Sequence, residues 1–343
     1  MQRFFLGKWI IVVFLFVACS TNKKNQTTSA RPVSAQEAIL LNQLIYKTNL
    51  RDSLAKYAPQ FEVVFLPKAV NGNLAFIAKK KDSNQYALVI RGSMIEFSKA
   101  GFQNFILQDF NIFTMKKWAY ADSVKDAYIS NGTAVGFNNL LELKDDATQL
   151  SIKDFIEQKI PTGSSVVITG HSLGGNLAYP LAGYLKKTLP AQQKLNLQLI
   201  SFGAPAAGNA AFVQDMEEKF PTAERYVMDK DIAPLFPDMD KIAKVSALLG
   251  LDKVLPLHTL TIKGVTVSTN DVLKIAGKLL EKSNIITESS RYVQSQKQCI
   301  VLHSNPIDSL PQDEISPEVI FERAYQFHKV DAYALLLGGR AIE

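Results

Sequence analysis

The segment 165–174 constrains the fold of this chain more than any other. Residues 166–169 form the apolar run Val-Val-Ile-Thr, which is typical of a strand buried on both faces of a sheet. A Gly-x-Ser-x-Gly turn centred on Ser172 follows at once, and a helical pattern begins behind it. Because Gly170 and Gly174 allow a tight reversal, the pattern predicts a strand, a sharp turn and a helix. The Ser172 hydroxyl is then exposed on a strained backbone.

Strands and helices alternate after this turn. Apolar spacing predicts helices over 173–185 and 210–220, and strands over 195–202 and 225–228. Strands separated by helices favour a mostly parallel central sheet that is covered by helices on both faces. The predicted fold class is therefore α/β. Pro180 lies inside the first of these helices and predicts that it ends or kinks early.

The remaining elements are predicted from shorter patterns, and no internal repeat or second domain boundary is visible. Helical spacing covers three further segments, 37–57, 137–159 and 317–337, while strand-like runs separated by turn residues cover 61–66, 74–78 and 87–90, and a hairpin-like run covers 260–267.

The N-terminus reads as a targeting segment rather than as part of the fold. Arg3 and Lys8 precede an apolar run that is too short to span a bilayer, so residues 1–18 are predicted to be a signal peptide. The run ends in Val-Ala-Cys, which resembles a bacterial lipoprotein signal, and this implies a diacylglyceryl group on Cys19. An ordinary secretory signal is the alternative.

These features predict a protein of the bacterial cell envelope, held at the membrane through lipidated Cys19. Residues 19–36 are rich in Ser, Thr, Asn and Lys and are predicted to be a flexible tether. The folded domain is predicted over 37–343. The only other cysteine is Cys299, so acylation of Cys19 would leave no pair for an intrachain disulfide.

Composition argues against several classes of partner. The 343 residues are 47% hydrophobic and carry a formal charge of +6, but the basic residues occur only in short runs such as 79–81. Nucleic-acid binding is not expected, since it needs clustered basic residues on one element. The chain has no zinc-finger or EF-hand spacing, so neither a metal nor a cofactor is predicted.

A serine at such a turn becomes a nucleophile only with a base, and the base needs an acid to orient it. Three histidines follow Ser172 and do not adjoin it in sequence: His258, His303 and His328. Acidic candidates follow the strand 225–228, where Asp229 and Asp231 are nearly equivalent by position. The residues alone leave both choices open. His171 adjoins the serine, and its side chain is expected to point away from the hydroxyl.

Several runs in this sequence resemble the class 3 lipases, a family that includes fungal triacylglycerol lipases and plant acyl-hydrolases. They appear in the family's order over roughly 87–237. The runs are Leu-Val-Ile-Arg-Gly-Ser at 88–93, Val-Gly-Phe at 135–137, Val-Ile-Thr-Gly-His-Ser-Leu-Gly-Gly at 167–175, Ser-Phe-Gly-Ala-Pro at 201–205, Gly-Asn at 208–209 and Asp-Ile-Ala-Pro at 231–234.

The resemblance implies an acid and a base for Ser172. The family's Asp falls on Asp231 rather than Asp229. Its C-terminal histidine begins a His-x-x-x-x-Tyr run, which falls on His328, while His258 matches a non-catalytic position and stays the reserve base. The interval from Asp231 to His328 is longer than in the family, which implies an insertion within 238–315.

The oxyanion hole is predicted from the turn and from the resemblance together. The backbone N–H of Leu173, the residue after the nucleophile, is one expected donor. The family's second donor falls on Ser93, in the run Arg-Gly-Ser. The segment 94–113 is rich in Phe and fits either a lid with an acyl-chain wall or a buried amphipathic helix.

Taken together, the sequence predicts an α/β-hydrolase that cleaves carboxylic ester bonds of lipids through Ser172, His328 and Asp231. A phospholipase or thioesterase would use the same three residues, and a catalytically silent lipid-binding envelope protein would keep the fold without the reaction. The expected partners are a lipid or other ester substrate and a membrane, and no nucleic acid.

Overall fold

The computed structural model describes residues 32–92, 114–236, 259–262, 265–268, 292–305, 322 and 325–342. Its helices are α1 (Ala35–Leu44), α2 (Leu50–Tyr57), α3 (Asn131–Leu141), α4 (Ile152–Lys159), α5 (Leu173–Thr188), α6 (Ala210–Lys219) and α7 (Val330–Leu336). Its strands are β1 (Phe61–Phe65), β2 (Ala75–Lys80), β3 (Gln85–Ile90), β4 (Met115–Lys117), β5 (Tyr128–Ser130), β6 (Ser165–His171), β7 (Asn196–Phe202), β8 (Gly208–Asn209), β9 (Glu224–Met228), β10 (Thr259–Ile262), β11 (Val265–Ser268), β12 (Tyr292–Val293) and β13 (Cys299–Leu302).

A seven-stranded sheet organises the fold, in the order β1-β2-β3-β6-β7-β9-β13. The first three strands pair antiparallel, and β3, β6, β7, β9 and β13 pair parallel. This confirms the predicted α/β class with a mostly parallel sheet. The carboxyl ends of the parallel strands share one edge, where the loops that carry ligands and reactive groups usually lie.

Both faces of β6 are buried, as its apolar run predicts. Ile168 points into one hydrophobic cluster together with residues of α3, α4, α5 and α6. Its neighbour Val167 points into the other, which includes residues of α1, α2 and α7. Successive side chains of a strand face opposite ways, so a strand between two helical layers must be apolar throughout.

Two smaller sheets accompany the central one. Strands β12, β8, β5 and β4 form a four-stranded antiparallel sheet, and β10 pairs with β11 as an antiparallel hairpin. The hairpin confirms the prediction over 260–267. No helix among the described residues is long and apolar enough to cross a bilayer.

Two predicted long helices are each two shorter ones. The segment 37–57 divides into α1 and α2 because Asn49 accepts a hydrogen bond from the backbone N–H of Asp52 and starts a new helix. The segment 137–159 divides into α3 and α4, and Ser151 caps the second in the same way. Short polar caps inside an apolar pattern were the sequence signal for both breaks.

Pro180 was predicted to end or kink its helix early. The helix does not end there, because α5 continues to Thr188. Leu177, Leu181 and Leu185 are fully buried against the sheet. Burial of that face offsets the hydrogen bond that a proline removes from a helix interior, a loss of about 3 kcal/mol. The segment 94–113 and His258 lie outside the described residues.

The junction of β6 and α5 yields a test of the fold. A Cβ added to Gly170 would lie 2.1 Å from the carbonyl carbon of Gly174, so Gly170→Ala forces the strand and the helix apart. We expect a loss of at least about 2 kcal/mol in the free energy of unfolding, measured by urea denaturation. Gly183→Ala is the matched control and should cost less, because its Cβ would meet side chains, the flexible Met216 at 2.9 Å and the Trp118 ring at 3.0 Å, and no backbone atom. An equal loss in both variants would contradict this account.

Candidate active site

The turn after β6 holds Ser172 in the strained conformation that the sequence predicts. Its backbone has φ +57° and ψ −127°, a conformation that residues other than glycine rarely adopt. A Cβ on Gly174 would lie 2.2 Å from the carbonyl oxygen of Ile90, so only glycine lets α5 pack this closely on β3. Close packing thus forces the reversal, and the reversal turns the Ser172 side chain out of the helix.

Ser172 is the N-cap residue of α5, but its hydroxyl makes no capping hydrogen bond. A serine in this position usually accepts from the helix backbone. Here Oγ instead lies 2.8 Å from Nε2 of His328. The hydroxyl is therefore free to exchange its proton with an imidazole.

The structure brings Asp231 to the other side of the same ring. Its Oδ2 lies 2.8 Å from Nδ1 of His328, and its Oδ1 accepts the backbone N–H of Ala233 at 2.9 Å. The exposed fractions of Ser172, His328 and Asp231 are only 6%, 4% and 1%. A hydroxyl, an imidazole and a carboxylate thus form one buried chain of hydrogen bonds, which can carry a proton from the serine to the imidazole.

Asp229, the other acidic candidate, faces a different loop. Its Oδ1 accepts the hydroxyl proton of Ser304 at 2.6 Å, and its Oδ2 lies 3.4 Å from Nδ1 of His303. Neighbouring Lys230 donates to the carbonyl of Asn305 at 2.7 Å. These contacts anchor the loop after β13 to the end of β9, and they occupy both Asp229 and His303 away from Ser172.

Tyr333 completes the surroundings of Asp231, and the sequence reasoning gave it no role. Its hydroxyl donates to Oδ2 of Asp231 at 2.7 Å and accepts the backbone N–H of Met228 at 3.1 Å. Burial and the nearby carboxylate raise the pKa of Tyr333 well above its ordinary value, so the hydroxyl remains a donor. The signal was present in the His-x-x-x-x-Tyr run, whose tyrosine is this residue.

The buried ring of His171 lies against His328. The two ring centroids are 4.8 Å apart at an interplanar angle of 35°, and the His171 ring donates to the backbone carbonyl of His328. Its Nε2 is buried and has no hydrogen-bond partner in the described part of the chain. His171 thus supports the histidine that contacts the Ser172 hydroxyl.

The structure describes one of the two residues that were predicted to donate to the oxyanion. Leu173 is the first residue of α5, so its backbone N–H has no acceptor within the helix. Ser93 lies outside the described residues, but its neighbour Gly92 donates its N–H to the Tyr46 hydroxyl at 3.1 Å. Burial raises the pKa of Tyr46 and keeps the hydroxyl protonated. Tyr46, which sequence reasoning missed, therefore holds Gly92, the residue before Ser93, from the N-terminal part of the fold.

Within the described ranges, no group of three or more His, Cys, Asp or Glu side chains could hold a metal ion.

Part of this chain is similar to a known family. Residues 88–241 match the family model of class 3 lipases, and this range contains Ser172 and Asp231. M37 lipase, a solved structure, is 22% identical with a TM-score of 0.64, over 89% of this chain and 94% of that one. The two proteins share a fold. The chain therefore has the fold of that lipase, and its segment 88–241 is similar to class 3 lipases.

A curated relative matches over a shorter stretch. Lipase ZK262.3 of Caenorhabditis elegans is 29% identical over 99 residues, which is 29% of this chain and 28% of that protein. The match spans less than a third of the relative's length.

The burial of His171 predicts how stability depends on pH. Burial lowers the pKa of His171 well below its ordinary value of 6.5, and nearby His328 lowers it further. Below about pH 6.5 the unfolded chain binds a proton at His171 that the folded chain does not, so the free energy of unfolding falls as the pH falls. The slope that His171 contributes is up to about 1.4 kcal/mol per pH unit.

His171→Phe keeps a flat ring at this position and removes the titration. Urea denaturation at about pH 7 and about pH 5 should therefore show a smaller loss of stability for the variant than for the wild type. Identical losses would mean that His171 becomes protonated in the folded protein.

Proposed function

We propose that this protein is a serine hydrolase that cleaves carboxylic ester bonds of lipids. One observation carries the proposal. His328 lies within hydrogen-bond distance of both Ser172 and Asp231, at 2.8 Å in each case, in the order that an acyl-transfer triad requires. The class 3 lipase segment at 88–241 supports a lipid ester as substrate.

In the proposed first step, Oγ of Ser172 attacks the acyl carbonyl while Nε2 of His328 takes the hydroxyl proton. The carbonyl oxygen becomes an oxyanion, which the backbone N–H groups of Leu173 and Ser93 would stabilise. His328 then gives its proton to the leaving alkoxide, so the alcohol departs and an acyl-enzyme remains. Water attacks this ester with His328 again as the base, and the carboxylic acid and the Ser172 hydroxyl are restored.

Asp231 would act by orienting the ring and stabilising its charged form. A carboxylate at Nδ1 keeps the proton there, which leaves Nε2 as the acceptor that faces Ser172. The other contacts of Asp231 come from Tyr333 and from the N–H of Ala233. These donors limit rotation of the carboxylate, so the imidazolium formed during the reaction meets a fixed counter-charge.

Variants of two triad residues test the proposal. Ser172→Ala should abolish hydrolysis of p-nitrophenyl esters and labelling by a fluorophosphonate probe, because the nucleophile is gone. Asp231→Asn should lower kcat about 10⁴-fold, as expected when the ring loses its correct tautomer. Ser123→Ala, which changes an exposed serine, is the matched control and should keep wild-type activity.

Three outcomes separate the alternatives. Wild-type hydrolysis in Ser172→Ala would refute the assignment of the nucleophile. A wild-type protein that is neither labelled nor active would instead support a catalytically silent lipid-binding protein. A panel of triacylglycerols, phospholipids and acyl thioesters distinguishes a lipase from a phospholipase or thioesterase by the ratio of kcat/KM.

We also propose that the protein is a lipoprotein of the bacterial envelope, anchored through Cys19. The run Val-Ala-Cys after an apolar segment supports this proposal. The predicted tether 19–36 ends too late, because Ser34 caps α1 and the helix begins at Ala35, so only the stretch before Val33 would act as the tether. The wild type should incorporate radiolabelled fatty acid and sediment with membranes. Cys19→Ala should lose the label, whereas Cys299→Ala should retain it, and equal labelling of both variants would argue against the anchor.

A further inference from the structure

His171 lies at the junction between the nucleophile and the central sheet. It is the last residue of β6, the middle strand of seven, and it directly precedes Ser172 in the chain. Its backbone lies in register with Phe202 of the neighbouring strand β7. Only 5% of His171 is exposed. A side chain at this position is therefore held by the most rigid part of the fold.

The proposed base, in contrast, lies outside the sheet. His328 is in a turn that precedes α7, which begins at Val330. Loops are generally less rigid than the strands they connect, so a reactive side chain on a loop needs further contacts to hold it. Asp231 supplies one such contact, at Nδ1 of the ring. That contact holds the ring, but it does not hold the backbone of the turn.

His171 supplies a contact to this backbone. Its ring N–H donates to the carbonyl oxygen of His328. The donor is Nδ1, since Nε2 makes no hydrogen bond within the described part of the chain. The same ring lies against the His328 imidazole, with centroids 4.8 Å apart. One side chain of the central strand thus contacts both the backbone and the ring of the base.

The His171 ring also contacts the residue that holds the acid. The ring of Tyr333 meets it edge to face, with centroids 5.6 Å apart, and the Tyr333 hydroxyl donates to Asp231. Burial, and then nearby His328, lower the pKa of His171 well below its ordinary value. The His171 ring is therefore neutral at neutral pH, and it does not repel the imidazolium that His328 would become during the reaction.

We propose that His171 is a positioning residue that anchors the turn carrying His328 to the strand carrying Ser172. The base and the nucleophile then share one rigid support, which keeps Nε2 and Oγ at 2.8 Å. In its kinetic consequence this proposal rests on the proposed hydrolase function. A misplacement of about 1 Å can lower a rate by about 10²-fold, even when the altered residue does not contact the substrate.

Two variants separate the hydrogen bond of His171 from its ring. His171→Asn keeps an N–H donor near the position of Nδ1 and removes the ring, whereas His171→Phe keeps a ring and removes the donor. In the hydrolysis of p-nitrophenyl esters, His171→Phe should lower kcat about tenfold and leave KM unchanged, because the turn that carries the base is released. His171→Asn should keep kcat within about threefold of the wild type.

Phe155→Leu is the matched control for lost packing. Phe155 is a buried ring of α4 whose centroid lies 5.3 Å from that of Phe65, so its loss should lower the Tm and leave kcat unchanged. The proposal is overturned if His171→Phe keeps the wild-type kcat, or if His171→Asn and His171→Phe lose kcat equally. If His171→Phe does not fold, His171→Leu replaces it, with the same expected loss.

A second measurement needs no turnover. The proton between Nδ1 of His328 and Asp231 should give a downfield resonance in the proton NMR spectrum of the full-length wild type, because it lies in a charge-assisted hydrogen bond. His171→Phe should broaden this resonance by exchange with solvent, and His171→Asn should retain it. If the wild type hydrolyses no ester, the proposed function fails and the resonance alone decides. Broadening in His171→Phe only then supports the anchoring role, and equal sharpness in both variants overturns it.

Discussion

The close approach of β6, β3 and α5 at the turn is the constraint on which the rest of this structure depends. Gly170 and Gly174 lie so near each other, and Gly174 so near Ile90, that any side chain would separate the three elements. Their contact forces φ +57° on Ser172 and turns its hydroxyl out of the helix. The strain is supported by a core that covers both faces of β6, so the position of one hydroxyl is determined by a large part of the protein.

A second constraint acts around Asp231, where a buried carboxylate must be satisfied by donors. Tyr333, His328 and the N–H of Ala233 supply them, and Tyr333 also accepts the N–H of Met228. The last helix is thereby fastened to the end of β9 by the same contacts that hold the imidazole. In the proposed mechanism, stability and chemistry depend on one network, so a change to Tyr333 would affect both.

Local sequence patterns predicted most of the helices and strands, but they did not predict where several of them begin or end. The run before Ser172 and the alternation after it predicted the parallel sheet, because a buried strand must be apolar on both faces. The breaks at Asn49 and Ser151 were missed, since a single capping hydrogen bond decides them. The length of α5 was predicted wrongly because of Pro180. Burial of the helix against the sheet outweighs the low helix propensity of that proline.

The sequence by itself determined strand β6, the turn after it, the serine at the centre of that turn and the mostly parallel pairing of the sheet. All of these follow from patterns of residues that are near each other in the chain. It did not decide whether Asp229 or Asp231 is the acid, or which of several histidines is the base. Only the resemblance to a lipase family favoured one residue for each role. The tertiary structure decided which side chains meet: His328 is 156 residues from Ser172 and 97 from Asp231. The role of Tyr46 was likewise not predicted, since burial and hydrogen bonding between distant segments are properties of the packed chain.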